Sequence, residues 1–418
     1  MELENHFTTI MKAVSFFLIF LAGFLFSACN STDEPVLNPV TIHPKTMNLV
    51  EADNLFGFQM FHELQQDLEP QENIMISPIS MANALAMALN GAHGSTYEQM
   101  VDALNLNGLN LEEINQTYQA LMADLVNLDE EVVLSIANSI WYADFMPVKP
   151  DFIQNNVQYY QAEVSPLNFD DPASVDIINQ WVSDNTKGKI ESIVEALSPY
   201  DRMLLINATY FKGKWKYQFD EADSYESNFY PDPQTTVPAT FMSMNADVER
   251  LSNEWVDGLK LPYGKEGYSM YLLMPQYEKT MEELLSILNQ ENWNTWMTEY
   301  QVINDVAIHI PRFSFEYESD LNQALRALGM EDAFIEQLAD FSGITDYEQL
   351  FITNVKHKSF IEVNEQGTEA AAVTSITFGT TSVNPITQFI ANKPFLFAIV
   401  EEQTGAIIFM GQLNNPEV

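Results

Sequence analysis

The sequence predicts an α+β protein. Helical periodicity dominates the first part, long strands and helices then follow without regular βαβ alternation, and the chain closes on a hairpin of two apolar strands. Of its 418 residues 46% are hydrophobic and 18% charged, which is the composition of a folded globular chain and not of a disordered one. No Gly/Ser/Pro-rich linker divides the stretch from Asn48 to the end, so residues 48–418 read as a single large domain.

The first element is a targeting segment. Lys12 supplies a positive charge, Val14 to Phe26 is an apolar run, and Leu25-Phe26-Ser27-Ala28-Cys29 follows. The run is too short to span a bilayer and reads as a signal peptide over residues 1–28. Met1 to Ile10 carry two glutamates and no Lys or Arg, which leaves Met11 as an alternative start to Met1. The residues around Cys29 resemble the lipobox of bacterial lipoproteins. That resemblance implies lipidation of Cys29 and a lipid anchor at the outer membrane or cell surface, or facing the periplasm. A soluble secreted product cut near Ala28 is the alternative. Cys29 is also the only cysteine, so no intramolecular disulfide exists. Residues 29–47 begin with the polar, aperiodic Asn30-Ser31-Thr32-Asp33-Glu34-Pro35 and read as a flexible tether. The acidic pair in it is similar to the surface-export signals of some lipoproteins.

Within the domain, Leu55, Phe58, Phe61 and Leu64 recur at helical spacing in Asn48–Leu68. Ile74-Met75-Ile76 is a short strand. Ser77-Pro78 opens a helix through Ala82–Leu89, with the serine capping its N–H groups and Asn90-Gly91 closing it. Val132–Tyr142, Met203–Phe211, Tyr268–Met274, Val306–Phe315 and Ser359–Val363 read as strands. Pro150–Gln161, Ser174–Thr186 and Met281–Thr298 read as helices. Phe395–Val400 and Ala406–Gly411, joined around Thr404-Gly405, form the terminal hairpin.

Charge excludes several functions. With 18 basic and 59 acidic side chains the formal net charge is −41. Nothing in the chain could neutralise a phosphate backbone, which excludes nucleic acid as a partner. The absence of any Lys/Arg cluster argues equally against sulfated polysaccharide. The acidity suits solubility in a crowded medium, or steering of basic partners.

The informative segment is Glu365-Gln366-Gly367-Thr368-Glu369-Ala370-Ala371-Ala372-Val373-Thr374-Ser375-Ile376-Thr377. With period two, Thr368, Ala370, Ala372, Thr374 and Ile376 share one uncharged face, and the single charge, Glu369, falls on the other. Such a stretch could slide into a sheet as an extra strand, pivoting at Gly367, without burying a charge. An alanine-rich helix or linker fits the same residues. Glu365 to Ala372 resembles the hinge of the inhibitory serpins. Further resemblances run collinearly across Asn48–Pro416: Asn73 to Ser80, Asn207 to Trp215, Asn392-Lys393-Pro394-Phe395 and Phe409-Met410-Gly411. On this set the chain is identified as a member of the serpin family, which implies three β-sheets, eight or nine helices and an exposed reactive loop over about residues 365–391.

The resemblance implies roles residue by residue. Glu365, Gly367, Thr368, Ala370, Ala371 and Ala372 form the hinge. Ser77, Ser80, Asn207 and His357 form a hydrogen-bonded shutter below the central sheet. Trp215 stands at the breach where insertion begins, and Glu365 pairs there with Arg312. No G-x-S-x-G elbow is present, and we assign no catalytic residue, metal or cofactor. Counting forward from Glu365 places the scissile bond at Thr381, and counting back from Asn392 places it at Val383. The candidates are therefore Thr380, Thr381, Ser382 and Val383. Small and β-branched residues there suit elastase-like serine proteases. Phe378 would admit a chymotrypsin-like enzyme, and papain-like cysteine proteases are a further class of target. No Arg or Lys lies between Glu365 and Ala391, which speaks against trypsin-like targets. The implied activity is suicide-substrate inhibition by a monomer: cleavage, insertion of the freed loop, and covalent trapping of the protease. The uncharged inserting face predicts that Thr368→Arg slows insertion. The alternative is a non-inhibitory serpin acting as an extracellular binding protein or chaperone.

Overall fold

The structure, a computed structural model, describes residues 37–198, 200–368 and 387–416. The signal peptide, Cys29, Ala370, Ala371, Ala372 and the bait candidates Thr380 to Val383 lie outside the described residues. Residues 37–43, expected in the tether, are laid along the body instead. Asn38 N donates to Leu128 O at 3.0 Å, Val40 N to Gln403 Oε1 at 2.9 Å and Thr41 N to Asp124 Oδ2 at 2.8 Å.

Helix α1 (Pro44–Gln65) starts four residues ahead of Asn48, because Pro44 presets φ for a first helical turn. The short strand β1 (Ile74–Ile76) leads to α2 (Pro78–Leu89). Two helices absent from the sequence reading follow, α3 (Gly94–Ala103) and α4 (Leu111–Asn127). A capping box between Asn110 and Glu113 opens α4. Next come β2 (Val132–Ala143), α5 (Pro150–Tyr160), β3 (Glu163–Leu167), α6 (Ala173–Asn185) and β4 (Met203–Lys214). Four strands run on from there: β5 (Tyr225–Asp232), β6 (Thr235–Ser252), β7 (Val256–Tyr263) and β8 (Tyr268–Pro275). The single helix expected over Met281–Thr298 is two, α7 (Met281–Ile287) and α8 (Gln290–Met297). The side chain of Asn289 accepts from Asn292 N and so starts a second helix in mid-segment.

The strand expected over Val306–Phe315 also divides. Its first part belongs to β9 (Gln301–Pro311) and its second to β10 (Phe313–Asp320), and the two join different sheets. Pro311 lacks an N–H for the ladder, and the Arg312 N–H turns to Thr240 O at 2.8 Å. Helix α9 (Asn322–Ala327), β11 (Lys356–Asn364), the two-residue β12 (Gly367–Thr368), β13 (Thr387–Ile390), β14 (Phe395–Glu401) and β15 (Ile407–Leu413) complete the chain.

Nine α-helices surround the sheets among the described residues. One sheet has six strands in the order β10-β11-β12-β4-β2-β3. The other runs β1-β15-β14-β8-β7-β6-β9-β13, with β5 on β6. The three sheets of the resemblance correspond to two hydrogen-bonded ones, because the 18-residue β6 pairs with β5 and β9 along most of its length and with β7 at its end. Helix α2 joins the layers: Ser80 bonds to β4 and Ser77 to β15. It is buried along its whole length except Ala84, which accounts for its almost uniformly apolar sequence.

Candidate functional site

The six-stranded sheet carries the site. Among the described residues, β11 and β4 are connected only through Gly367–Thr368, which pair antiparallel to both: Val363↔Thr368 and Asn364↔Gly367 on one side, Lys214↔Gly367 and Gly213↔Thr368 on the other. Gly367 has φ +146°, and a Cβ there would stand 2.0 Å from Gly213 O. Both the dihedral and the space demand glycine.

Immediately before this pair, Glu365 turns inward. Its side chain is 3% exposed and accepts hydrogen bonds from Arg312 Nε at 2.6 Å, from a second Arg312 nitrogen and from Ser224 Oγ. Arg312 is the residue released from the ladder between β9 and β10, so the strand break is what delivers the guanidinium. The backbone is held as well. Glu365 O accepts from Phe219 N and Gln366 O from Trp215 N, both at 2.9 Å. Trp215 is buried, its Nε1 donates to Asn364 O at 2.9 Å, and its ring stacks on Tyr263 at 4.4 Å between centroids. The segment before the loop is thus clamped on both backbone and side chain.

Hydrogen bonds do not join the four residues implied for the shutter into one network. Ser80 donates to Asn207 Oδ1, and Thr209 Oγ1 donates to Ser80 Oγ at 2.8 Å. Asn207 Nδ2 continues the chain to Asn138 Oδ1 at 2.7 Å. Ser77 caps no helix N–H. Its hydroxyl donates instead to Ile408 O at 2.7 Å. His357 is buried near the Met75 backbone, to which it hydrogen-bonds, while its Nε2 has no partner. Burial pushes its pKa down to about 4, outweighing that bond, so the ring is neutral at pH 7. Ser359 Oγ shares the Met75 carbonyl at 2.7 Å. Thr209, Asn138, Ser224 and Tyr263 were not legible as site residues. Only Thr209 lay inside a quoted motif, and the rest carry no local signal.

This arrangement offers a clamped segment, a two-residue strand held between β11 and β4, and a row of hydrogen-bonded polar side chains. Among the described residues no group of three or more His, Cys, Asp or Glu side chains is placed to hold a metal ion.

A family model described as Serpin (serine protease inhibitor) matches residues 51–416. Serpin B10 of Rhinolophus ferrumequinum is 32% identical over 396 residues, covering 88% of this chain and all of that one. A thermophilic serpin, tengpin, in the native state superposes with a TM-score of 0.80 at 32% identity, covering 92% of this chain and 98% of that chain. Human thyroxine-binding globulin with its ligand gives 0.81 at 27% identity, covering 89% and 99%.

Proposed function

The chain belongs to the serpin family, and on that premise we propose that it is an inhibitory member that traps elastase-like serine proteases by loop insertion. Family membership supports a function of the protease-inhibitor type in general and no enzymatic activity of its own. One observation carries the finer reading. Gly367–Thr368 already occupy the top of the opening between β11 and β4, and the sequence beyond them continues with an uncharged, small-residue face. Cleavage after residues 380–383 would free the segment behind Thr368 to continue that strand downward.

The resting fold is then a kinetically protected state whose insertion is triggered by acylation of the attacking protease. The bait residues Thr380, Thr381, Ser382 and Val383 select shallow specificity pockets. Cys29, lipidated and left as the mature N-terminus by signal cleavage, would hold the monomer to the outside of the cell. The test is incubation of the mature chain with an elastase-type serine protease, followed by denaturing electrophoresis and mass spectrometry. An SDS-resistant complex with the cleaved bond inside 380–383 supports the proposal. Clean cleavage without complex across several protease types refutes it.

A second reading is a binding protein, favoured by the likeness to thyroxine-binding globulin. It predicts that loop cleavage adds little heat resistance, whereas an inserting chain gains much.

A further inference from the structure

The hydroxyl of Tyr263 is buried and meets Thr368 Oγ1 at 2.7 Å. Tyr263 ends β7, in the other sheet, and reaches across to the hinge. Its ring is fixed between Trp215, stacked at 4.4 Å, and Phe211, edge-on at 5.1 Å. Gly213 makes room for it, since a Cβ there would lie 2.8 Å from Tyr263 Cδ1. Three features therefore converge on one contact: a glycine in β4 that admits the ring, a glycine at 367 that lets the hinge backbone approach β4, and a threonine that meets the hydroxyl.

We propose that Tyr263 is a positioning residue for loop insertion, holding Thr368 in the opening and setting the register in which the rest of the loop follows. The proposal deepens the inhibitory reading and rests on it for its effect on trapping. Its physical basis is the asymmetry of a buried hydroxyl. Thr368 is the partner shown for the Tyr263 hydroxyl among the described residues, so withdrawing Thr368 strands a polar atom away from water. A strand also exposes alternate residues to each face, and a slip of one residue would bring the Glu369 position onto the face that Tyr263 reads. The Tyr263–Thr368 contact selects the register in which the uncharged face turns inward.

Tyr263→Phe, Thr368→Val and the double variant test this in the full chain. Phe keeps the stack on Trp215, and Val keeps the branched shape of threonine without touching Tyr263. In the uncleaved protein each single change should speed hydrogen exchange at the Gly367 and Thr368 amides about 2- to 10-fold, the range one net hydrogen bond supports, and the double variant should add nothing. Against an elastase-type serine protease, each single change should lower the ratio of SDS-resistant complex to cleaved chain by a similar factor. The rate of initial attack should stay unchanged. A purely structural role for Tyr263 would instead give effects that add to those of Thr368→Val. Additive effects, or unchanged exchange in Tyr263→Phe, overturn the proposal. If the wild-type chain forms no complex, the inhibitory reading falls while the exchange measurement still decides the role of Tyr263.

Discussion

Replacing Arg312 by Met should loosen the base of the hinge, and the magnitude follows from the asymmetry of the pair. The Glu365 carboxylate is 3% exposed while Arg312 is 43% exposed. Removing one partner of a fully buried pair costs about 3–5 kcal/mol, because the other charge is left uncompensated. Solvent screening at the half-exposed guanidinium reduces this, and Ser224 still donates to the carboxylate. The expected cost is about 2 kcal/mol, or about a 30-fold faster unfolding rate if the loss is absent from the transition state. An unfolding rate is the direct observable for a native contact that is absent from the transition state. Glu365→Gln in the same background should restore most of the loss, since it removes the buried charge that Arg312 neutralised. Unfolding of Arg312→Met within a factor of about two of wild type would refute the reasoning, a change of that size being typical of an exposed pair. Strict additivity of the two substitutions would refute it equally.

Three further outcomes follow from single residues. Gly367→Ala puts a methyl group 2.0 Å from Gly213 O at φ +146°, so β12 should leave the sheet, and limited proteolysis should cut near residues 366–369 well before it does in wild type. His357 has a folded pKa of about 4, below its unfolded value of about 6.5; its contribution is complete above the unfolded value and is lost as pH falls through the folded one. Between pH 7 and 4 that amounts to about 3 kcal/mol, and His357→Leu should flatten the pH dependence of the denaturant midpoint by that much. Asp53 is buried, with Oδ2 unpartnered and Oδ1 accepting from Tyr118 at 2.7 Å, and desolvation raises its pKa well above 3.8. Its contribution is complete below the unfolded pKa and is lost as pH rises through the raised one, so Asp53→Asn should stabilise the chain more at pH 8 than at pH 4 in the same midpoint measurement.

What the sequence discloses here depends on whether the physics is local. The expected hinge is legible because its requirements are written in consecutive residues: a pivot glycine, then small residues with no charge at alternate positions. The terminal hairpin is legible for the same reason, as two apolar runs around Thr404-Gly405. The division of Val306–Phe315 is not visible as a change in pattern, because apolar residues continue on both sides while the chain moves from one sheet to the other. Pro311 was the only local sign. Likewise the capping residue Asn289 inside Met281–Thr298 signalled a second helix, but the amphipathic spacing ran through it.

The breach shows where local reading ends. Pairing of Glu365 with Arg312 was implied by resemblance, whereas the sequence alone gives no reason for a carboxylate at 365 to turn inward. The reason lies in four separate segments: the Arg312 strand break, Ser224 after a short turn, Trp215 at the end of β4, and Tyr263 at the end of β7. None of these is conspicuous by itself. Tyr263 in particular looks like one more aromatic at the end of an apolar strand, and its hydroxyl gains meaning only when Gly213 and Gly367 bring Thr368 to it. The two glycines are the part that sequence could have offered, since they lie on the paired strands β12 and β4. A search for glycines on neighbouring strands would have led to the tyrosine that Gly213 admits and that Thr368 meets. Such close backbone approaches mark the points where β12 is gripped between β11 and β4.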